Sequence, residues 1–158
     1  MAQRDMTSPN VEVLELQSAV FSNTRAIRVL LPPGYRDPAN TTRRYPVLYL
    51  NDGIMAFRPA AINVEEAVHG LINRGEIPSI IVVGIDNGAS TKETKNPVVD
   101  RANEFLPYPD VGFAPNKLYA ANPPEPQGAK YPGFVTKEVM PLIESRFRVA
   151  KGPENTAL

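Results

Sequence analysis

The chain has 158 residues, 17 basic against 17 acidic, and no cysteine. The length suits one domain with a real core, and the balanced charge, without a Lys/Arg block, supplies no field for nucleic acid or an acidic membrane. The missing cysteines exclude disulfides, thiolate nucleophiles and cysteine-bound zinc.

Residues 1–10 are polar and lack the apolar core of a signal peptide, so they are expected as a disordered leader, and a cytoplasmic location is favoured. No apolar stretch approaches the ~20 residues of a membrane span. Val11 to Ser18 alternates, with Val11, Val13, Leu14 and Leu16 apolar, and predicts an edge strand with one wet face. Ala26-Ile27-Arg28-Val29-Leu30-Leu31 predicts a second strand, halted by Pro32-Pro33-Gly34, and the two are expected to pair antiparallel. Val47 to Leu50 is an unbroken apolar run of strand formers ending in Asn51-Asp52-Gly53, as in a strand buried on both faces of a sheet. Asp-Gly also suits a hairpin turn. However, the spacing beyond Arg58-Pro59 is helical, and a strand, a loop and then a helix is the better reading.

That helix carries Val64, Ala67, Val68, Leu71 and Ile72 on one face. Asn63 with Glu66 predicts a capping box, and Gly75 a C-terminal stop. Ile80 to Asp86 repeats the apolar strand pattern, so two parallel strands joined by a helix make a right-handed βαβ unit. The fold class is α/β, an antiparallel first pair followed by parallel βαβ.

The prolines, 17 in all, cluster in loops, and residues 87–130 are expected as one long irregular segment, mobile over 123–130. A second helix is predicted from about Pro132 to Phe147, with Val135, Val139, Leu142 and Ile143 buried and a kink at Pro141. Asn155 to Leu158 opens another apolar element, expected as a parallel strand beside the central one. An open apolar edge there is unusual for a natural domain, so residues 11–158 are read as an incomplete domain, the amino-terminal part of a longer protein.

Several of these stretches together resemble the putative-esterase family, a branch of the α/β-hydrolase fold that includes enterochelin-esterase-like, esterase-D-like and feruloyl-esterase-like enzymes. They are Arg28-Val29-Leu30-Leu31-Pro32-Pro33-Gly34-Tyr35, Tyr45 to Gly53, Ile80 to Asn87, Arg101-x-x-Glu104-Phe105, and Tyr131 to Val149. The resemblance implies a three-layer α/β-hydrolase-like fold and a serine carboxylic-ester hydrolase acting through an acyl-enzyme, with a small-molecule ester as substrate and no cofactor. It also implies a Gly-x-Ser-x-Gly elbow after the strand that opens near Thr156, with acid and histidine later still. This chain has no such elbow. Gly88-Ala89-Ser90-Thr91-Lys92 lacks the last glycine, and the only histidine, His69, lies within the first helix. No member of a triad is expected here, and no metal site. The isolated chain is predicted inactive.

By the same resemblance, the loop after the third strand carries one oxyanion donor, the backbone N–H of Ile54, with Asp52, Gly53 and Met55 beside it. The alternative is that Asp52-Gly53 merely ends the strand. Arg101 and Glu104 are read as an ion pair holding the long loop, as solvated charges, or as substrate contacts. Tyr108, Phe113 and Tyr119 are read as pocket lining or as loop anchors. A non-catalytic α/β binding module complete at Leu158 is the second reading of the whole. Gly-x-Gly-x-x-Gly and the P-loop are absent, which leaves nucleotide binding without support.

Overall fold

The computed structural model describes residues 8–94, 97–107 and 125–158. They fall into two compact units: Ala26–Asp86 and Ile143–Leu158 with the chain up to Glu15, and Leu16–Arg25 with Asn87–Leu142. Five strands form one sheet in the order β1-β2-β4-β3-β5. They are β1 (Val11–Ser18), β2 (Asn23–Leu30), β3 (Val47–Asn51), β4 (Ile81–Ile85) and β5 (Thr156–Ala157). β2 runs antiparallel to β4, with Val29 opposite Val83. β3 lies parallel to β4 on one side and to β5 on the other, with Leu48 opposite both Val82 and Ala157. The parallel pair and the strand after the last helix stand where the apolar runs predict them, and the hairpin reading of Asp52-Gly53 falls.

In the first unit, alternation along registered strands puts Leu30, Val82, Leu48 and Leu50 on one face. Two helices cover that face: α1 (Gly53–Phe57) and α2 (Val64–Asn73). Val11, Leu30, Ala56, Phe57, Val64, Val68 and Val82 form its core, with Leu48, Leu50 and Ile72 packed against it. On the opposite face Ile27, Val29, Val47, Tyr49, Ile81, Val83 and Ile85 are all buried, as are Ile143, Phe147 and Val149. The pKa of the Tyr49 hydroxyl on this face is raised to about 12 by burial, and secondarily by the Glu144 carboxylate.

α2 ends as its sequence predicts. Gly75 (φ +71°) follows the C-cap, Gly75 N–H donates to Ile72 O (2.9 Å) and Glu76 N–H to Leu71 O (3.0 Å), which is a Schellman motif. Its start differs from expectation. Asn63 adopts φ 52° without a side-chain cap, and its Nδ2 donates to Glu66 Oε2 at 2.5 Å. The carboxylate takes the amide that a capping box would have turned toward the backbone. Ala67 is exposed rather than on the buried stripe, and Val13 faces the wet side of β1, 47% exposed. Of the expected disordered leader, Ser8 and Asn10 are held by Glu65 at 2.6 and 3.0 Å, and residues 1–7 lie outside the described residues.

The second unit corrects the reading of residues 87–130. Helix α3 spans Pro97–Phe105, and 3₁₀ turns occupy Gly88–Ser90 and Gly128–Lys130. Pro97 is a favoured first helical residue, a start signal masked by the surrounding prolines. Gly128, expected to be mobile, packs so closely that a Cβ there would stand 2.7 Å from the Leu106 carbonyl carbon. The last helix is interrupted: α4 (Tyr131–Phe134), a π-helical turn (Val135–Val139) and then α5 (Met140–Arg146). Met140 N–H reaches back to Val135 O. Pro141 has no N–H and its ring crowds the carbonyl four residues earlier, so the widened turn just before it absorbs the mismatch that was expected as a kink.

Candidate functional site: the turn after β3

Ligands in open α/β sheets bind beyond the carboxyl ends of the strands, and the carboxyl end of β3 is built in an unusual way. The chain leaves the strand through Asp52 at φ 56° and ψ 49° and enters α1 at the next residue. Aspartate tolerates this left-handed conformation better than most side chains. Asp52, not Gly53, makes the sharp turn. Asp52 O then accepts both Met55 N–H (2.8 Å) and Ala56 N–H (3.0 Å). The N–H groups of Gly53 and Ile54 stand in the first turn of α1, where the helical ladder offers no acceptor.

Gly53 is a glycine for a different reason. A Cβ there would lie 2.6 Å from Asp86 Oδ1 and 2.8 Å from the Gly84 carbonyl carbon, so α1 sits directly on β4. Gly84 is the reciprocal gap, since its Cβ would meet the Phe57 ring at 2.6 Å. Beneath this contact Asp86 forms a bidentate pair with Arg28, Nε to Oδ1 at 2.9 Å and Nη2 to Oδ2 at 3.0 Å, both residues about 1% exposed. The turn therefore rests on a neutralised, hydrogen-bonded charge pair across the adjacent strands β2 and β4.

The six residues singled out from sequence divide between the units. Asp52, Gly53, Ile54 and Met55 are consecutive in the first: Gly53 is buried, Asp52 and Ile54 half-buried, and Met55 45% exposed. Arg101 and Glu104 belong to the second. Glu104 is buried, and the ion pair expected with Arg101 is instead made with Arg25, at 2.5 Å. Its other oxygen accepts Gly88 N–H at 2.5 Å. The Arg25 guanidinium is boxed by the Phe21 and Phe134 rings at 4.6 and 4.8 Å, while the Arg101 guanidinium lies 5.5 Å from the Phe105 ring centroid. Glu104 thus ties α3 to the Gly88 turn. Tyr108, Phe113 and Tyr119 lie outside the described residues.

The sequence reading missed both buried ion pairs. Their signal was an arginine inside an apolar strand (Arg28) and an aspartate ending another (Asp86), charges that remain buried only when paired. His69 is half-buried, with Nε2 3.0 Å from Leu31 O, so it joins α2 to the end of β2. Among the described residues no group of three or more His, Cys, Asp or Glu side chains is arranged to hold a metal. Among the described residues no helix is long and apolar enough to cross a membrane.

A sheet of this order, antiparallel at β2 and parallel through β4, β3 and β5, with helices on its faces, is an α/β-hydrolase-like fold. Residues 18–158 match the family described as "Putative esterase", and the chain belongs to that family. A similar solved structure is an IroE-like serine hydrolase from Shewanella oneidensis, with TM-score 0.67 and 27% identity, covering 88% of this chain and 39% of that one. The BES protein from Bacillus cereus gives 0.67 and 23% over 99% of this chain and 55% of its own length. The enterochelin esterase from Shigella flexneri gives 0.62 and 17% over 93% and 28%. The uncharacterized protein YbbA of Bacillus subtilis is 22% identical over 137 residues, 87% of this chain and 46% of that protein. The chain thus spans under half of that curated relative and 28% to 55% of these solved structures.

Proposed function

We propose that this chain supplies the scaffold and one oxyanion donor of a serine carboxylic-ester hydrolase. The nucleophile, acid and histidine belong to polypeptide outside these 158 residues. The observation that carries this reading is the turn after β3, where Asp52 reverses the chain and leaves Ile54 N–H at a helix start just beyond a parallel strand. When a serine adds to an ester carbonyl, negative charge develops on the carbonyl oxygen. A preorganised backbone N–H lowers that barrier because it needs no reorientation as charge builds. In this fold the second donor is the residue after the nucleophile. The resulting acyl-enzyme is then cleaved by water, with no metal or organic cofactor.

Ile54 tests the reading because proline is tolerated in the first turn of a helix, where its missing N–H breaks no ladder hydrogen bond. In the complete protein, Ile54→Pro should lower kcat for p-nitrophenyl acetate by roughly 10²–10³-fold with little change in KM. Ile54→Val keeps the N–H and should keep the activity. Equal kcat for Ile54→Pro and wild type would remove Ile54 from the oxyanion hole.

A further inference from the structure

Two opposite charges buried together commonly stabilise a fold no more than apolar side chains of similar size. What distinguishes Arg28 and Asp86 is where they lie. Arg28 stands opposite Gly84 on the neighbouring strand, and Asp86 directly follows β4, whose last residue, Ile85, is opposite Asn51 of β3. Asp86 therefore leaves its strand level with the point where β3 gives way to the turn. Three hydrogen bonds fix it there. Its carboxylate oxygens accept from Arg28 at 2.9 and 3.0 Å, and its N–H donates to Ala26 O at 3.1 Å. The fixed Oδ1 bears on Gly53, where a Cβ would stand 2.6 Å from it. Asp52 O in turn accepts from Met55 N–H and Ala56 N–H at 2.8 and 3.0 Å. The peptide between Gly53 and Ile54 is thus held between a fixed carboxylate and the first bonds of α1.

We propose that Asp86, locked in place by Arg28, is a positioning residue that aims the Ile54 N–H through its contact with Gly53. The inference rests on the proposed role of Ile54 as an oxyanion donor. Such a donor lowers the barrier only if it already points to where charge develops, and a misplacement of about 1 Å costs up to ~10²-fold in rate. Replacing the pair by Arg28→Met with Asp86→Leu keeps the site filled but removes the guanidinium fork and sets bulkier methyl groups against Gly53. The strands stay packed and the turn loses its fixed seat. Because full negative charge is present on the oxygen only beyond the ground state, the loss falls on kcat rather than KM.

The test is a double-mutant cycle in the complete protein, with p-nitrophenyl acetate as substrate. It compares wild type, Arg28→Met with Asp86→Leu, Ile54→Pro, and all three substitutions together. The apolar pair should keep its Tm and KM and lose roughly 10-fold in kcat, part of the cost of a full misplacement. Combined with Ile54→Pro it should cost no more than Ile54→Pro alone, since two changes acting through one N–H do not add. A purely structural role would make the two losses multiply. Arg28→Lys keeps the charge but not the two-pronged bond, and it carries the same comparison if the apolar pair fails to fold. Unchanged kcat in the apolar pair, losses that multiply, or a loss that falls on KM would each overturn the inference while Ile54→Pro still reports an oxyanion donor. Unchanged kcat in Ile54→Pro would remove the donor itself, and the positioning role with it.

Discussion

Arg28 and Asp86 are two full charges buried in the first unit, each about 1% exposed. Replacing such a pair by apolar side chains of similar volume is commonly neutral or stabilising, whereas removing one partner costs about 3–5 kcal/mol. Asp86→Ala should therefore destabilise by about that amount, and Arg28→Met with Asp86→Leu should recover most of the loss in urea denaturation. Such a recovery would mean that the pair is kept for where it holds Gly53, not for net stability. Tyr49 is a different kind of buried polar group. Burial, and secondarily the Glu144 carboxylate, raise its hydroxyl from 10.0 to about 12. A raised acid favours the neutral phenol in the folded chain, so its contribution is complete below pH 10 and is lost as pH climbs from 10 toward 12. Stability measured across that window should fall, and the fall should shrink in Tyr49→Phe.

Glycines at the ends of elements separate close approach from backbone conformation. A Cβ at Gly53 meets backbone atoms of β4, which cannot swing aside; a Cβ at Gly75 meets nothing within 4 Å, and only its φ of +71° resists. Gly53→Ala should cost about 1–3 kcal/mol as overpacking, and Gly75→Ala about 1 kcal/mol as left-handed strain. Gly75→Asn should recover part of the second loss, since asparagine tolerates that conformation, and the urea midpoints of the three variants check the order. The same contrast explains which elements could be read in advance. β3, β4 and α2 were legible because runs and 3.6-residue spacing report burial directly. α3 was not, because Val99, Ala102, Phe105 and Leu106 keep a helical spacing inside a proline-rich stretch that reads as irregular. The contact of Gly53 with Gly84 and Asp86 was not legible either. It depends on strand register, which no local pattern encodes.

At the scale of the whole chain, the order β1-β2-β4-β3-β5 and the matching family define an α/β-hydrolase-like scaffold. The proposed function places the oxyanion at the turn after β3. Gly-x-Ser-x-Gly is absent from the sequence, and His69 is engaged with Leu31 in the first unit. On the proposed function, charge stabilisation falls to this chain and bond-making to residues it does not contain. The most direct test is hydrolysis of p-nitrophenyl acetate by the purified 158-residue chain, with and without a serine-directed phosphonate. The expected result is the background rate, unchanged by the phosphonate. Saturable turnover abolished by stoichiometric phosphonate would place a working nucleophile within this chain and contradict the account.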